Sequence, residues 1–426
     1  MLENGEDNSV VQRSVLPVGL RVITERLPGA HSVAVGIWVG AGSRDEESST
    51  AGAAHYLEHL LFKGSTRRNA AQIAETIDAV GGELNAFTAA EHTCYYTHVL
   101  DTDLSLALDL LCDVVLFPSL AGRDVELERG VILDEIAMRN DDPEELLHEA
   151  FGIALLGEHP LSRSILGTHA SIAGMDRSAL RGFYQQHYLP DRMVLAIAGN
   201  VDHDQVLHLI HEVVTTRWTE RLPPAAPRFG HVTQVAPNRL QLRTDDTEQA
   251  HVMLGVPTFN RYDERRFILS VLNTALGGGM SSRLFQEVRE RRGLAYQVYS
   301  SMDCTSDTGS WALYAGTHPD RLGSVIDVMH SVLIDIGSHG LSEAEITKAK
   351  GQLRGELVLG LEDVISRMSR IGKGELNYAD HLSVKQTLRR IDAVTVHDVA
   401  DLAGELLRRP LSAAVVGPYA HCDDLP

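Results

Sequence analysis

His55 and His59 stand four residues apart in Ala53-Ala54-His55-Tyr56-Leu57-Glu58-His59-Leu60-Leu61-Phe62, with Glu58 between them. The stretch is mostly apolar and free of Gly and Pro, so it reads as a helix, with Ser48, Ser49 and Thr50 just upstream to cap its start. On a helix, residues i and i+4 stack on one face, and Glu58, three from His55, lies beside that face. Two imidazoles and a carboxylate converging from one rigid element can hold a zinc ion and set a general base next to its water. The order H-x-x-E-H inverts the commoner H-E-x-x-H.

Such a site needs a further ligand. The run Arg123 to Met138 is a second helical stretch, and its Glu128 and Glu135, seven apart, share a face. Both are open as ligands, and both also suit a solvated, charged helix face. H-Y-L-E-H at 55–59, followed 76 residues after His59 by the last Glu of E-R-G-V-I-L-D-E, resembles the pitrilysin/insulinase family of zinc peptidases, in its processing-peptidase-like branch. That resemblance implies His55, His59 and Glu135 as ligands of one zinc ion per chain. It implies Glu58 as the base and Glu128 as a second acidic group supporting the site.

Composition sets the frame for these elements. The 426 residues suffice for two or three domains, and 44% hydrophobic with 23% charged residues is a globular balance. No apolar run approaches the roughly 20 residues of a membrane span. The start, MLENGEDNSVVQRS, is acidic and polar, unlike a secretory signal or a mitochondrial presequence, so a cytoplasmic location is expected and residues 1–12 are expected to be disordered. Cys94, Cys112, Cys304 and Cys422 are scattered without CxxC spacing and suggest neither disulfides nor a thiolate site. A net charge of −20 argues against nucleic-acid binding. It suits solubility, and equally a chamber that attracts basic peptides.

The elements that must position the site follow in order. Residues 19–25 and 32–39 read as strands, 69–80 as a helix ended by Gly81-Gly82, and 83–88 and 92–100 as successive strands. His92 and His98, six apart with aromatics between, read as ordinary sheet. The stretch G-G-E-L-N-A-F-T resembles the family's edge strand, which implies Asn85 and Ala86 as contacts to a substrate backbone through strand addition. Helices follow over 103–117 and 123–139, a loop over 158–168, a helix over 175–187, a buried strand over 193–200 and a helix over 204–216.

Residues 218–238, with Pro223, Pro224, Pro227 and Pro237, read as a linker. After it the pattern repeats: Ala250 to Val256 echoes His31 to Ile37, and Leu411 to Pro418 echoes Met193 to Asn200. The expected fold is therefore α+β: two similar domains, each a mostly antiparallel sheet packed with helices, related by internal duplication. They would span 13–217 and 239–426, with the zinc site in the first. The second copy has Glu264 to Leu272, without histidine, at the place of H-Y-L-E-H. Its Gly277-Gly278-Gly279 lacks the Lys-Ser/Thr of a phosphate loop. The family resemblance implies Arg289 and Tyr296, seven apart, as residues that orient a scissile carbonyl.

The resulting expectation is a zinc metalloendopeptidase acting on extended peptides in a closing chamber. The rival reading is a non-catalytic scaffold or processing-complex subunit of the same family, in which the metal constellation is degraded. Single-chain relatives carry four such units and this chain two, so the resemblance implies a homodimer, or a pair with a paralogous chain.

Overall fold

A computed structural model describes residues 3, 4, 9–230, 239–379 and 381–425. The first half of the chain gives β1 (Glu3–Asn4), β2 (Val10–Val15), β3 (Arg21–Arg26), β4 (Ser32–Val39), α1 (Ala53–Leu61), α2 (Ala70–Asp78), β5 (Glu83–Thr88) and β6 (Thr93–Leu100). It continues through α3 (Leu104–Leu116), α4 (Gly122–Asn140), α5 (Pro143–Leu156), α6 (His169–Gly174), α7 (Arg177–His187), β7 (Met193–Gly199) and α8 (His203–Arg217). The second half gives β8 (Leu240–Thr244), β9 (Ala250–Pro257), α9 (Arg266–Gly277), β10 (Ala295–Cys304), β11 (Gly309–Thr317), α10 (Leu322–His339), α11 (Glu343–Gly360), α12 (Val364–Tyr378), α13 (Val384–Ala393), α14 (Val396–Leu406) and β12 (Ser412–Gly417).

The strands form two sheets, ordered β1-β2-β3-β7-β4-β6-β5 and β8-β12-β9-β11-β10. Stripped of β1 and β2, the first has the same order as the second. The pairing sense also agrees: β3–β7 and β8–β12 are parallel, and the remaining pairs are antiparallel. The α+β architecture and the internal duplication are thus as expected.

Strands β4 and β7 are buried along almost their whole length because both faces of the sheet are covered there. In β4, Val33, Val35, Ile37 and Val39 join the larger core, which also contains the buried faces of α1, α3, α7 and α8. Ala34 and Trp38 point the other way, with Val194, Ala196 and Ala198 of β7, onto Val364, Met368 and Ile371 of α12. Small residues let that helix sit close. A Cβ on Gly36 would lie 2.4 Å from Met368 Sδ, and one on Gly372 would lie 2.3 Å from Trp38 Nε1. The second sheet repeats the device: Leu146, Leu147, Ala150 and Phe151 of α5 pack on Met253, Ala312, Tyr314, Ala414 and Val416.

Each sheet is therefore covered on one face by a helix drawn from the other half of the sequence. One compact unit comprises Met1–Ile136, Ser164–Pro227 and Leu359–Val384, and the other Ala137–Arg163, Arg228–Val358 and Lys385–Pro426. The first sheet begins before residue 13, with β1 and β2, and α12 and α5 each cover the sheet of the other block, 13–217 and 239–426 respectively. Residues 218–230 carry no regular element, and the rest of the linker reading, 231–238, lies outside the described residues. Residues 10–12, expected to be disordered, belong to β2, paired with β3, and Val11 is buried. Arg13 donates from Nε and Nη2 to the Glu375 carboxylate of α12, both at 2.9 Å, which fixes a strand too polar to look like one. Helix α5 lies where no element was expected, although Asp142 caps it and Pro143 opens it. The cysteines are all free.

Close approach at Gly372 gives a direct test. Gly372→Ala should lower stability by about 1–3 kcal/mol through overpacking against Trp38. Gly351→Ala, on α11 with open space around it, should raise stability by up to about 1 kcal/mol. Denaturant midpoints at unchanged slope measure both.

Candidate metal centre

Helix α1 buries Ala53, Ala54, Tyr56, Leu57, Leu60 and Leu61, which leaves His55, Glu58 and His59 half-buried on the remaining face. Its start is not capped by Ser48, Ser49 or Thr50, which form a separate 3₁₀ turn. Gly52 is the capping position, at φ +91, a left-handed conformation that favours glycine. Glu46, buried, accepts from the Gly52 N–H at 2.7 Å and the Ala54 N–H at 2.8 Å. The carboxylate satisfies two donors of the first turn and meets the positive end of the helix dipole.

The second helix, α4, buries Val125, Ile132 and Ile136, and Tyr56 Oη of α1 donates to the Val125 carbonyl. Glu135 then faces the imidazoles: Oε2 lies 3.7 Å from His55 Nε2 and Oε1 lies 3.6 Å from His59 Nε2. One ligand atom from each of His55, His59 and Glu135 falls within 4.8 Å of the other two, and they make up the metal-capable group found among the described residues. Burial first, and the neighbouring His59 second, hold His55 down to about 4, so its ring is neutral and offers a lone pair. Glu135 Oε2 is buried without a hydrogen-bond partner. A neutral imidazole and an unsatisfied buried carboxylate oxygen converging on one point fit a divalent cation with nitrogen and oxygen ligands.

Glu128 is engaged differently. It is buried, with Oε2 at 3.1 Å from His59 Nδ1 and Oε1 accepting from Lys63 Nζ at 2.7 Å. This contact orients the His59 ring and leaves Nε2 for the cluster. Glu58 sits beside the imidazoles, its carboxyl pushed up by burial, with Thr88 Oγ1 donating to Oε2. Sequence reading missed Thr88, Lys63 and Glu46. Thr88 had a signal: along β5, Leu84, Ala86 and Thr88 alternate as the less exposed set.

Strand β5 is an edge, paired to β6 alone. The Ala86 N–H takes Asn85 Oδ1 at 2.8 Å, so it is not used in the ladder. His92 packs near Trp38, with ring centroids 5.4 Å apart, and neither it nor His98 belongs to the metal group. Arg289 and Tyr296 lie in the other compact unit and meet each other. Arg289 Nη1 donates to the Tyr296 carbonyl at 2.9 Å, and the guanidinium lies over the Tyr296 and Phe285 rings at 4.3 and 4.8 Å. The Tyr296 side chain is left 79% exposed, free to meet a ligand.

An inverted H-x-x-E-H helix and a glutamate from a neighbouring helix, on one copy of a duplicated α+β scaffold, form a group able to hold a metal ion. Residues 21–169 match the family model described as Insulinase (Peptidase family M16), and residues 174–353 match that of the Peptidase M16 inactive domain. The chain belongs to this family. It is 54% identical over 415 residues to an uncharacterized zinc protease of Mycobacterium tuberculosis (strain ATCC 25618 / H37Rv), covering 97% of this chain and 95% of that one. It is 36% identical over 412 residues to an uncharacterized zinc protease of Bacillus subtilis (strain 168), covering 97% and 99%. A protease from Helicobacter pylori has the same fold, with a TM-score of 0.90 at 21% identity over 96% of this chain and 100% of that one. Among the described residues, no helix is long and apolar enough to cross a membrane.

The Glu46 cap predicts its own cost. Glu46→Ala strands two buried N–H groups and should lower stability by about 1–3 kcal/mol, whereas Glu46→Gln, which keeps one acceptor, should lose less. Thermal or denaturant unfolding of both variants distinguishes a cap from a mere surface charge.

Proposed function

We propose that this chain is a zinc-dependent endopeptidase that cleaves extended peptides or unstructured segments. The observation that carries the reading is the convergence of His55, His59 and Glu135 on one point, with Glu58 on the same helix face beside them. The family and the names of the zinc protease relatives support it. His55, His59 and Glu135 would hold the ion, and zinc bound there supplies Lewis acidity toward a peptide carbonyl and water.

The chain's own groups do the rest. Glu58 takes a proton from the attacking water and delivers it to the leaving amine, and Thr88 holds the carboxylate in place between the two transfers. Glu128 keeps His59 in the orientation the cluster needs. An extended peptide adds to the outer edge of β5, where its carbonyl replaces Asn85 Oδ1 on the Ala86 N–H. Tyr296 orients the scissile carbonyl through its exposed side chain, and Arg289 holds the Tyr296 backbone. A folded protein cannot present such a strand, which restricts cleavage to flexible segments.

Glu58→Gln should keep stoichiometric zinc and lose about 10²–10⁴ in turnover. His55→Ala, His59→Ala and Glu135→Gln should each lose the metal, and Glu128→Gln should weaken it about 10–100-fold. Metal analysis after dialysis, with peptide cleavage alongside, measures both. If Glu135→Gln bound zinc like the parent, the third ligand would pass to Glu128.

The partner we propose is a second copy of the chain, with Arg289 and Tyr296 serving the metal centre of the other copy; a paralogous chain could take the same place. Co-expressing Glu58→Gln and Tyr296→Phe chains tests this. With random pairing, half of the dimers are mixed and one of their two sites is intact, so about a quarter of parental activity should return. Mixed dimers that stay inactive would show that the pair acts within its own chain.

A further inference from the structure

A cavity of about 240 Å³ lies in the unit that carries the candidate metal centre, apart from His55, His59 and Glu135. Its floor is Leu116, Phe117, Pro118, Ser119 and Leu120, where α3 ends and turns toward α4, and Arg181 and Arg217 border it. No carboxylate lines it, in a chain of net charge −20.

Four backbone oxygens at this turn are engaged, one of them by Arg217 itself. The Val115 carbonyl accepts from Tyr184 Oη at 2.8 Å, and the Leu116 carbonyl accepts from Arg217 Nε at 2.9 Å. The Phe117 carbonyl accepts from the Thr66 N–H at 2.9 Å, and the Leu120 carbonyl from Arg177 Nε. Arg217 spends Nε on that bond and lies against the Tyr184 hydroxyl, but it has no ion pair among the described residues. Arg181, exposed at the mouth, has neither a hydrogen bond nor an ion pair among them. Leu120 holds the floor in a left-handed conformation, φ +42, which a non-glycine residue adopts only where its surroundings enforce it.

We propose that this cavity binds a small organic carboxylate, its oxygens taken by the guanidinium groups of Arg181 and Arg217 and its apolar part seated on the partly exposed Phe117 and Pro118. Guanidinium forks match carboxylate geometry, and a charge without a counter-charge in its own protein favours an anionic ligand. The apolar floor and the small volume select a carboxylate beside a short hydrocarbon group, as at the C-terminus of a peptide ending in an apolar residue, over a bare inorganic anion.

Titration calorimetry of the full chain at fixed ionic strength tests this, with N-acetyl-L-leucine, N-acetyl-L-leucinamide and inorganic phosphate as probes. N-acetyl-L-leucine should bind, and the amide, which lacks the charge, should bind at least about tenfold more weakly. Phosphate should also be the weaker ligand. Arg181→Ala makes no contact whose loss would unfold the chain, and it should weaken N-acetyl-L-leucine about tenfold or more while leaving zinc content unchanged. Arg217→Gln should weaken it as well, with folding checked by the unfolding midpoint. The proposal is overturned if N-acetyl-L-leucine does not bind, if amide or phosphate binds as tightly, or if binding survives Arg181→Ala unchanged.

Discussion

The buried face of α1 is the constraint on which the site depends. Two imidazoles on one helix stay aimed at Glu135 of α4 only if the helix carrying them cannot roll, and six buried side chains on its far side prevent that. Tyr56, in the middle of that face, also reaches the Val125 carbonyl of α4, three residues before Glu128. The helix that supplies the histidines is therefore tied to the helix that supplies the glutamates by a bond inside the core. Burial has a second effect. It strips water from His55, which keeps the ring neutral, and from Glu58, which raises its carboxyl, so one packing arrangement sets both rigidity and protonation.

Duplication explains why the scaffold is larger than the site. Both sheets keep the same five-strand order, and in each a helix follows the second strand of the copy: α1 after β4, α9 after β9. Only α1 carries imidazoles. In α9 the C-terminal Gly277 lies so near the sheet that an added Cβ would meet Ser300 N at 2.1 Å, a close seating that serves packing. The exchanged helices bind each sheet to sequence far away. Glu25, buried on β3, accepts from Arg367 at 2.8 Å, and Glu375 of α12 takes the Arg13 fork. Buried pairs of this kind are costly to break because the remaining charge has no water to turn to.

How much of this could be read from the sequence follows from the range over which each feature is encoded. The strands β3 to β7, β9 and β12, the helix α2 and the H-x-x-E-H face are local patterns whose bounds came within a few residues, whereas β1, β2, β8, β10 and β11 were not expected. The repeat was legible because strand order is copied along with length. Residues 10–12 looked unstructured because Gln12 and Arg13 are polar, and the partner that makes Arg13 affordable to bury lies 362 residues away. Helix α5 had a visible start in Asp142-Pro143, but no periodicity in sequence tells which sheet a helix will cover. The α1 cap comes from Glu46, beyond the reach of the usual Ser/Thr capping pattern, because an intervening turn folds the chain back on itself.

The sequence also left two glutamates, Glu128 and Glu135, equally placed on one helix face. What separates them is the use of their oxygens. Glu128 has one oxygen on Lys63 and the other on His59, and the lysine charge balances the carboxylate. Among the described residues Glu135 has no lysine or arginine partner, and its buried Oε2 has no hydrogen bond. Lys63, a single residue four beyond His59, thus sets two chemically identical groups apart: one with both oxygens in contact with charged or ring partners, the other with a buried oxygen that has no hydrogen bond among the described residues.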